Sequence, residues 1–369
     1  MKSIPKILLV SPLPPPVGGI ASWTVYMLDF IGRKEKDYEL IHSNSAIKNK
    51  RITDKRVINR LVNGTRDFIS QYNSLVKKVK TDKPTIVHLT SSASLALFKD
   101  YLFARVLKKR GIRSIIHFRF GRICEVKERN NWEWFLLKMV MRAYDEVIVL
   151  DMKSYECLFS SGIEHINLVP NPLSNDFLAN VNKNRIIGER NKDVILFVGH
   201  VIEDKGVYEL VEAVCNLKSV RELRLIGPYE IHVKEELLSF AGKEQNKIKF
   251  IGTQSSEEIA KEMANCGIFV LPSYSEGFPN VILEAMVSSC PIIATNVGAI
   301  PEMLKKDAGI SIPPKSVKGL NEAIETLIND PPLAKKMGEY ARRTAMSNYR
   351  IENIVNQMER IWFKNEDYV

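Results

Sequence analysis

The sequence lacks most of the features that declare a function early. No apolar run approaches the ~18–20 residues that span a bilayer. The opening MKSIPKILLVSPLPPP is too brief and too rich in proline for a secretory signal. The expected location is cytoplasmic, with the protein free or resting on the inner face of the membrane. Cysteine is sparse: Cys124, Cys157, Cys215, Cys266 and Cys290 are odd in number, widely spaced and form no CxxC pair. That speaks against a disulfide framework and a thiolate zinc centre. With 6 histidines, no HExxH and no compact His–carboxylate cluster, no metal is expected. Neither GxGxxG nor GxxxxGK followed by Ser or Thr occurs, which argues against a nicotinamide enzyme and a P-loop NTPase.

What is present is an ordinary globular composition, 45% hydrophobic and 26% charged, over 369 residues. That length suits two domains of roughly 150–200 residues each. Charge is divided unevenly between them. Residues 1–150 hold 28 Lys and Arg against 13 Asp and Glu, whereas residues 151–369 hold 25 against 30. Such asymmetry points to an anionic partner for the first half, such as phospholipid, a lipid pyrophosphate or nucleic acid, with a plain solvated basic surface as the rival. No nucleic-acid module is recognisable, so nucleic acid is not expected.

Short, β-branched, unalternated apolar runs read as strands buried on both faces of a parallel sheet. In the first half they fall at 7–10, 85–89, 113–118, 146–150 and 166–169, and in the second at 194–198, 222–226, 247–251, 268–271 and 292–294. Amphipathic stretches separate them, among them 58–79, 95–109, 132–143 and 207–217. Alternation at this spacing predicts right-handed βαβ units and two doubly wound sheets. The expected boundaries are a first domain over 1–173, a second over 174–350 and a C-terminal helix over 351–369 that returns to the first. The polar stretch 174–193, after Val169-Pro170-Asn171-Pro172, reads as the linker.

Three segments carry candidate chemistry. Gly18-Gly19 follows the first strand and opens a helix, where bare amides and the helix dipole favour an anion, although a plain tight turn needs the same glycines. Gly199-His200 through Lys205-Gly206 repeats the strand–loop–helix pattern, with Lys205 before a helix N-terminus. A cation there opposes the dipole, so a bound anion is the expected counterweight, a solvated lysine the rival. The most specific is Glu276-Gly277-Phe278-Pro279-Asn280-Val281-Ile282-Leu283-Glu284. A loop carboxylate beside free amides suits hydroxyls and phosphate, and a second carboxylate two turns along suits a diol.

EGFPNVILEAM followed by PIIATNVGAIPEML resembles the donor-binding signature of retaining nucleotide-sugar glycosyltransferases of family 4. The early Gly-Gly loop, VHL at 87–89, IIHFR at 115–119, VPNP at 169–172, FVGH…DKG at 197–206 and LIG at 225–227 fall in that family's order. The resemblance implies the GT-B fold: two Rossmann-like domains facing across a cleft, acceptor on the first and donor on the second. It implies that Glu276 meets donor-sugar hydroxyls, Glu284 the ribose, and the backbone of Gly277, Phe278, Pro279 and Asn280 the sugar and diphosphate. Lys205, with Gly18, Gly19, Gly199 and His200, faces the diphosphate, and His117 reaches the sugar from the acceptor domain.

No separate cofactor is implied, only a UDP- or GDP-sugar as donor. The implied acceptor is a saccharide, lipid-linked in surface polysaccharide assembly such as capsule or O-antigen. Two departures stand out: His200 where the family usually has Arg, and Ala299 where a second Gly is common. The rival readings are an inactive nucleotide-sugar-binding scaffold and a GT-B epimerase or phosphorylase.

Overall fold

The computed structural model describes residues 4–15, 18–46, 57–184 and 190–364, with side chains from 57 to 67 excepted. The chain divides into two compact units, Met1–Pro170 with Ile354–Val369, and Asn171–Asn353. Each is built on a parallel six-stranded sheet.

In the first unit the strands are β1 (Lys6–Ser11), β2 (Glu39–Asn44), β3 (Ile86–Ser91), β4 (Arg113–Phe118), β5 (Glu146–Val149) and β6 (Ile166–Leu168), in the order β2-β1-β3-β4-β5-β6. In the second they are β7 (Asn191–Val198), β8 (Glu222–Ile226), β9 (Ile248–Gly252), β10 (Cys266–Leu271), β11 (Ile292–Thr295) and β12 (Ile310–Ile312), ordered β12-β11-β10-β7-β8-β9. Central strands β3, β5, β10 and β11 are buried along their whole length, as two-sided burial requires.

Side-chain alternation splits the first sheet's core into two faces. Val87, Leu89, Ile116 and Phe118 join Leu97, Phe103, Trp134, Leu137 and Val140 of the helices Ala96–Lys108 and Trp132–Ala143. The opposite face carries His88 and His117, which pack with Trp23 of the helix Gly19–Gly32. Trp362, from the helix Ile351–Trp362, lies against His88 on that same face. Glu359 of this last helix accepts from Lys36 Nζ at 2.6 Å and from Tyr38 Oη at 2.7 Å.

Of the stretch read as a linker, residues 174–184 are structured instead, and residues 185–189 lie outside the described residues. Ser174 Oγ accepts from the Phe177 amide and starts the helix Asn175–Lys183, which packs on the helix Ser256–Asn265. Edge strands β2 and β12 are additions to the expected set.

Candidate active site

In the second sheet the chain leaves β7 to build β8 and β9 on one side, then crosses to β10 on the other. The loops after β7 and β10 therefore diverge, and at such a switch point open α/β sheets bind ligands beyond the strand carboxyl ends. The loop after β7 closes through a turn at Glu203–Lys205 into Gly206, whose φ is +69°. A Cβ at Gly206 lies 2.1 Å from the Pro272 carbonyl oxygen, so only glycine lets the two loops touch. The Tyr274 amide donates to the Asp204 carbonyl at 2.9 Å across the same junction.

That contact brings together two of the expected residues. Lys205 Nζ donates to Glu276 Oε1 at 2.6 Å, with the cation 27% and the carboxylate 13% exposed. Lys205 is thus paired with a carboxylate of its own unit.

The loop after β10 is held from two further sides. Gly298, at φ +55°, approaches so closely that a Cβ falls 2.2 Å from the Glu276 carbonyl oxygen. The Ala299 amide donates to the Gly277 carbonyl at 2.9 Å. Ala299 is buried in ordinary helical conformation, and the close approach is made at Gly298. Asn171 Nδ2 donates to the Phe278 carbonyl at 3.0 Å and to Asn280 Oδ1 at 2.8 Å.

Phe278 is buried edge-on against Tyr349, and Pro279 is buried beside it. Their side chains belong to the core, and proline has no N–H. The amide set is therefore Gly277, Phe278 and Asn280, none of which finds an acceptor among the described residues. They open the helix Asn280–Val287, which has neither a side-chain cap nor an acid in its first turn.

Glu284 is half-buried on that helix, without a hydrogen-bond or ion-pair partner among the described residues, and burial raises its pKa to about 7. His200 is exposed at the loop tip. The Gly199 amide is already committed to the Ile226 carbonyl at 2.9 Å, which leaves it no hydrogen for a phosphate.

The first unit places the remaining expected residues. Gly18 caps the helix Gly19–Gly32 in extended conformation, and a Cβ at Gly18 or Gly19 meets nothing within 4 Å. Neither packing nor backbone conformation demands glycine there, and the helix has no side-chain cap, so its first amides are bare among the described residues. His117, expected to reach a sugar, is 0% exposed. Its ring lies between His88 Nε2 and Arg119 Nη1, each at 3.3 Å. Arg119, two residues on, is the partly exposed member of that cluster. Sequence reasoning passed over Arg119, His88 and Asn171; the only signal was their presence within IIHFR, VHL and VPNP.

Residues 181–344 match the family model described as glycosyl transferases group 1. The chain is 29% identical over 209 residues to the capsular polysaccharide biosynthesis glycosyltransferase CapM of Staphylococcus aureus, covering 55% of this chain and 53% of that protein. It is also 29% identical over 167 residues to the N,N'-diacetylbacillosaminyl-diphospho-undecaprenol alpha-1,3-N-acetylgalactosaminyltransferase of Campylobacter jejuni, covering 45% and 43%. The matched stretch spans about half the length of these curated relatives. Among solved structures, Anabaena HepE in complex with UDP superposes with a TM-score of 0.70 at 16% identity, over 96% of this chain and 98% of that one. The fold is therefore GT-B, as the motifs implied.

Proposed function

We propose that the protein, whose residues 181–344 match the family model described as glycosyl transferases group 1, moves a sugar, with retention, from a nucleotide-diphosphate sugar to a lipid-linked saccharide. The observation that carries the reading is the Lys205–Glu276 pair at the switch point of the second sheet. Glycosyl transfer builds positive charge at the anomeric carbon and negative charge on the departing diphosphate. Lys205 and the amides of Gly277, Phe278 and Asn280 supply preorganised donors for that phosphate, where most of the rate gain arises. Glu276 accepts from the sugar hydroxyls, and the partnerless Glu284 accepts from the ribose diol. UDP held by HepE supports a nucleotide donor, and the printed substrate of the Campylobacter relative supports a lipid diphosphate acceptor.

The first unit carries a surface suited to that acceptor. No helix of the described chain is long and apolar enough to cross a membrane. Leu95, Phe98 and Leu102 nevertheless stand exposed beside Trp132 and Phe135, and Phe98 stacks on Trp132 at 6.1 Å. Lys108, Lys109, Arg110, Arg129 and Arg142 are exposed on the same unit. Exposed apolar side chains with cations near them suit an anionic leaflet, at about 1 kcal/mol per nearby cation. Trp134 and Leu136, on the same helix as Trp132, are core residues. Arg113 and Lys127 are tied to Glu146 and to Ser160 with the Cys157 carbonyl.

The test is to incubate purified protein with labelled UDP- and GDP-sugars and membrane extract, then measure lipid-soluble label. Transfer supports the enzyme. Nucleotide binding without turnover on any acceptor would favour the scaffold reading instead.

A further inference from the structure

Among the described residues, Arg119 is a cation without an oxygen opposite it. Its backbone amide is fixed on the Ser91 carbonyl at 2.9 Å, and its guanidinium lies 4.7 Å over the ring of Trp23. Nε is buried and unpaired, and the side chain's one polar neighbour among the described residues is a nitrogen, His117 Nε2. Arg113, Lys205 and Arg224, also partly buried, each face a carboxylate at 3.1 Å or less. Burial alone pulls the Arg119 pKa down to about 9. A guanidinium withdrawn from water without a counterion is costly, and such a cost persists where a ligand supplies the anion.

The hydrogens behind it lead to the same place. Trp362 Nε1–H only donates, and it meets His88 Nδ1 at 3.0 Å. His88 must then carry its proton on Nε2, which faces His117 Nδ1. Burial, with the charge of Arg119, lowers the pKa of both imidazoles, so each holds one proton. His117 carries that proton on Nε2, pointing at a guanidinium that also only donates. Four hydrogens thus meet at three contacts. His88 and His117 are fully buried, so the surplus settles at the Arg119 end, the one member of the cluster that is not fully buried.

We propose that Arg119 and the Nε2–H of His117 form an oxyanion subsite of the first unit that takes a phosphoryl oxygen, with Trp362 and His88 as positioning residues that fix the His117 tautomer. A sugar hydroxyl leaves the charge unanswered, whereas a phosphoryl group brings both the charge and several acceptor atoms for the guanidinium fork. The source of the phosphate rests on the glycosyltransferase reading: the diphosphate of the donor or that of a lipid-linked acceptor.

The experiment titrates the full-length wild type and Arg119→Met with UDP, GDP and farnesyl diphosphate by calorimetry, alongside thermal melting. Arg119→Met is expected to keep or raise the melting temperature, because an uncompensated charge is removed, and to weaken one class of diphosphate by at least about tenfold. Loss confined to the nucleotides assigns the donor phosphate; loss confined to farnesyl diphosphate assigns the acceptor. Affinities within about twofold for both classes, or a lower melting temperature with affinity intact, overturn the subsite. Nitrogen-15 NMR of labelled histidine reads the relay in the wild type, where an Nδ1–H tautomer at His117 overturns it. Trp362→Phe is expected to release a tautomer mixture and to weaken the same ligand. If the wild type binds no nucleotide, the glycosyltransferase reading falls, while farnesyl diphosphate and the NMR signal still decide the subsite.

Discussion

Lys205 and Glu276, 71 residues apart, are joined by a 2.6 Å hydrogen bond between loops that follow neighbouring strands of the second sheet. Each charge answers the other, so a ligand that takes both must part them. On the proposed function, phosphate drawn to Lys205 frees the Glu276 carboxylate for hydroxyls.

Glu276→Gln and Lys205→Ala should each lower turnover by about 10²–10³-fold, the usual loss when one preorganised charge is removed. Both side chains sit in loops, so the melting temperature should stay close to that of the wild type. Wild-type rates in both variants would remove this pair from the active site.

Glu284 makes stability depend on pH in a defined direction. Its carboxyl releases its proton near 4.5 when unfolded but near 7 when folded, because burial disfavours the charge. Between those values the folded state binds more protons, so this group's contribution to stability falls as pH rises. Glu284→Gln should therefore melt above the wild type at pH 8, with the gap closing toward pH 4.5. The same variant should bind nucleotide more weakly, since a ribose contact acts in ground and transition states alike. A gap that is constant with pH would contradict the raised pKa.

The glycines divide into two kinds that alanine can separate. Gly206→Ala forces a side chain to within 2.1 Å of a carbonyl at a left-handed position and should destabilise the second unit by roughly 2–4 kcal/mol. Gly18→Ala and Gly19→Ala meet open space. They should leave the melting temperature unchanged and act only through ligand affinity. Thermal denaturation with and without UDP separates the two outcomes.

The aromatic residues of one helix divide likewise. Trp132→Ser with Phe135→Ser should weaken flotation with anionic liposomes at unchanged stability, while wild-type binding declines as salt rises. Trp134→Ala, in the core, should cost about 3–5 kcal/mol. Liposome binding that ignores both salt and the double variant would argue for another surface.

Much of the fold was legible because central strands of a parallel sheet write themselves as short apolar runs. The missing ones, β2 and β12, are edges: ELIHSN is largely polar and ISI spans three residues. Ser174–Phe177 looked like a linker because a capping serine and a polar first turn carry no apolar signal of their own. Lys205 and Glu276 were visible as motif residues, yet their mutual contact depends on Gly206 lying against Pro272, which spacing does not encode. Arg119 was visible only as the last letter of IIHFR; its packing over Trp23 shows that, among the described residues, it is held apart from every carboxylate.

The placement of Trp362 sets the order in which the protein can be made. Its indole fills the first unit's sheet face and is 1% exposed, with Glu359 bonded to Lys36 and Tyr38. A ribosome releases residues 4–170 long before residue 362, at about 5–20 residues per second. The first unit therefore waits, its His88 uncovered, until the whole second unit has emerged. Folding of the earlier-encoded half ends last, and a nick that removes the helix Ile351–Trp362 strips the first unit of part of its interior while leaving the second with its own.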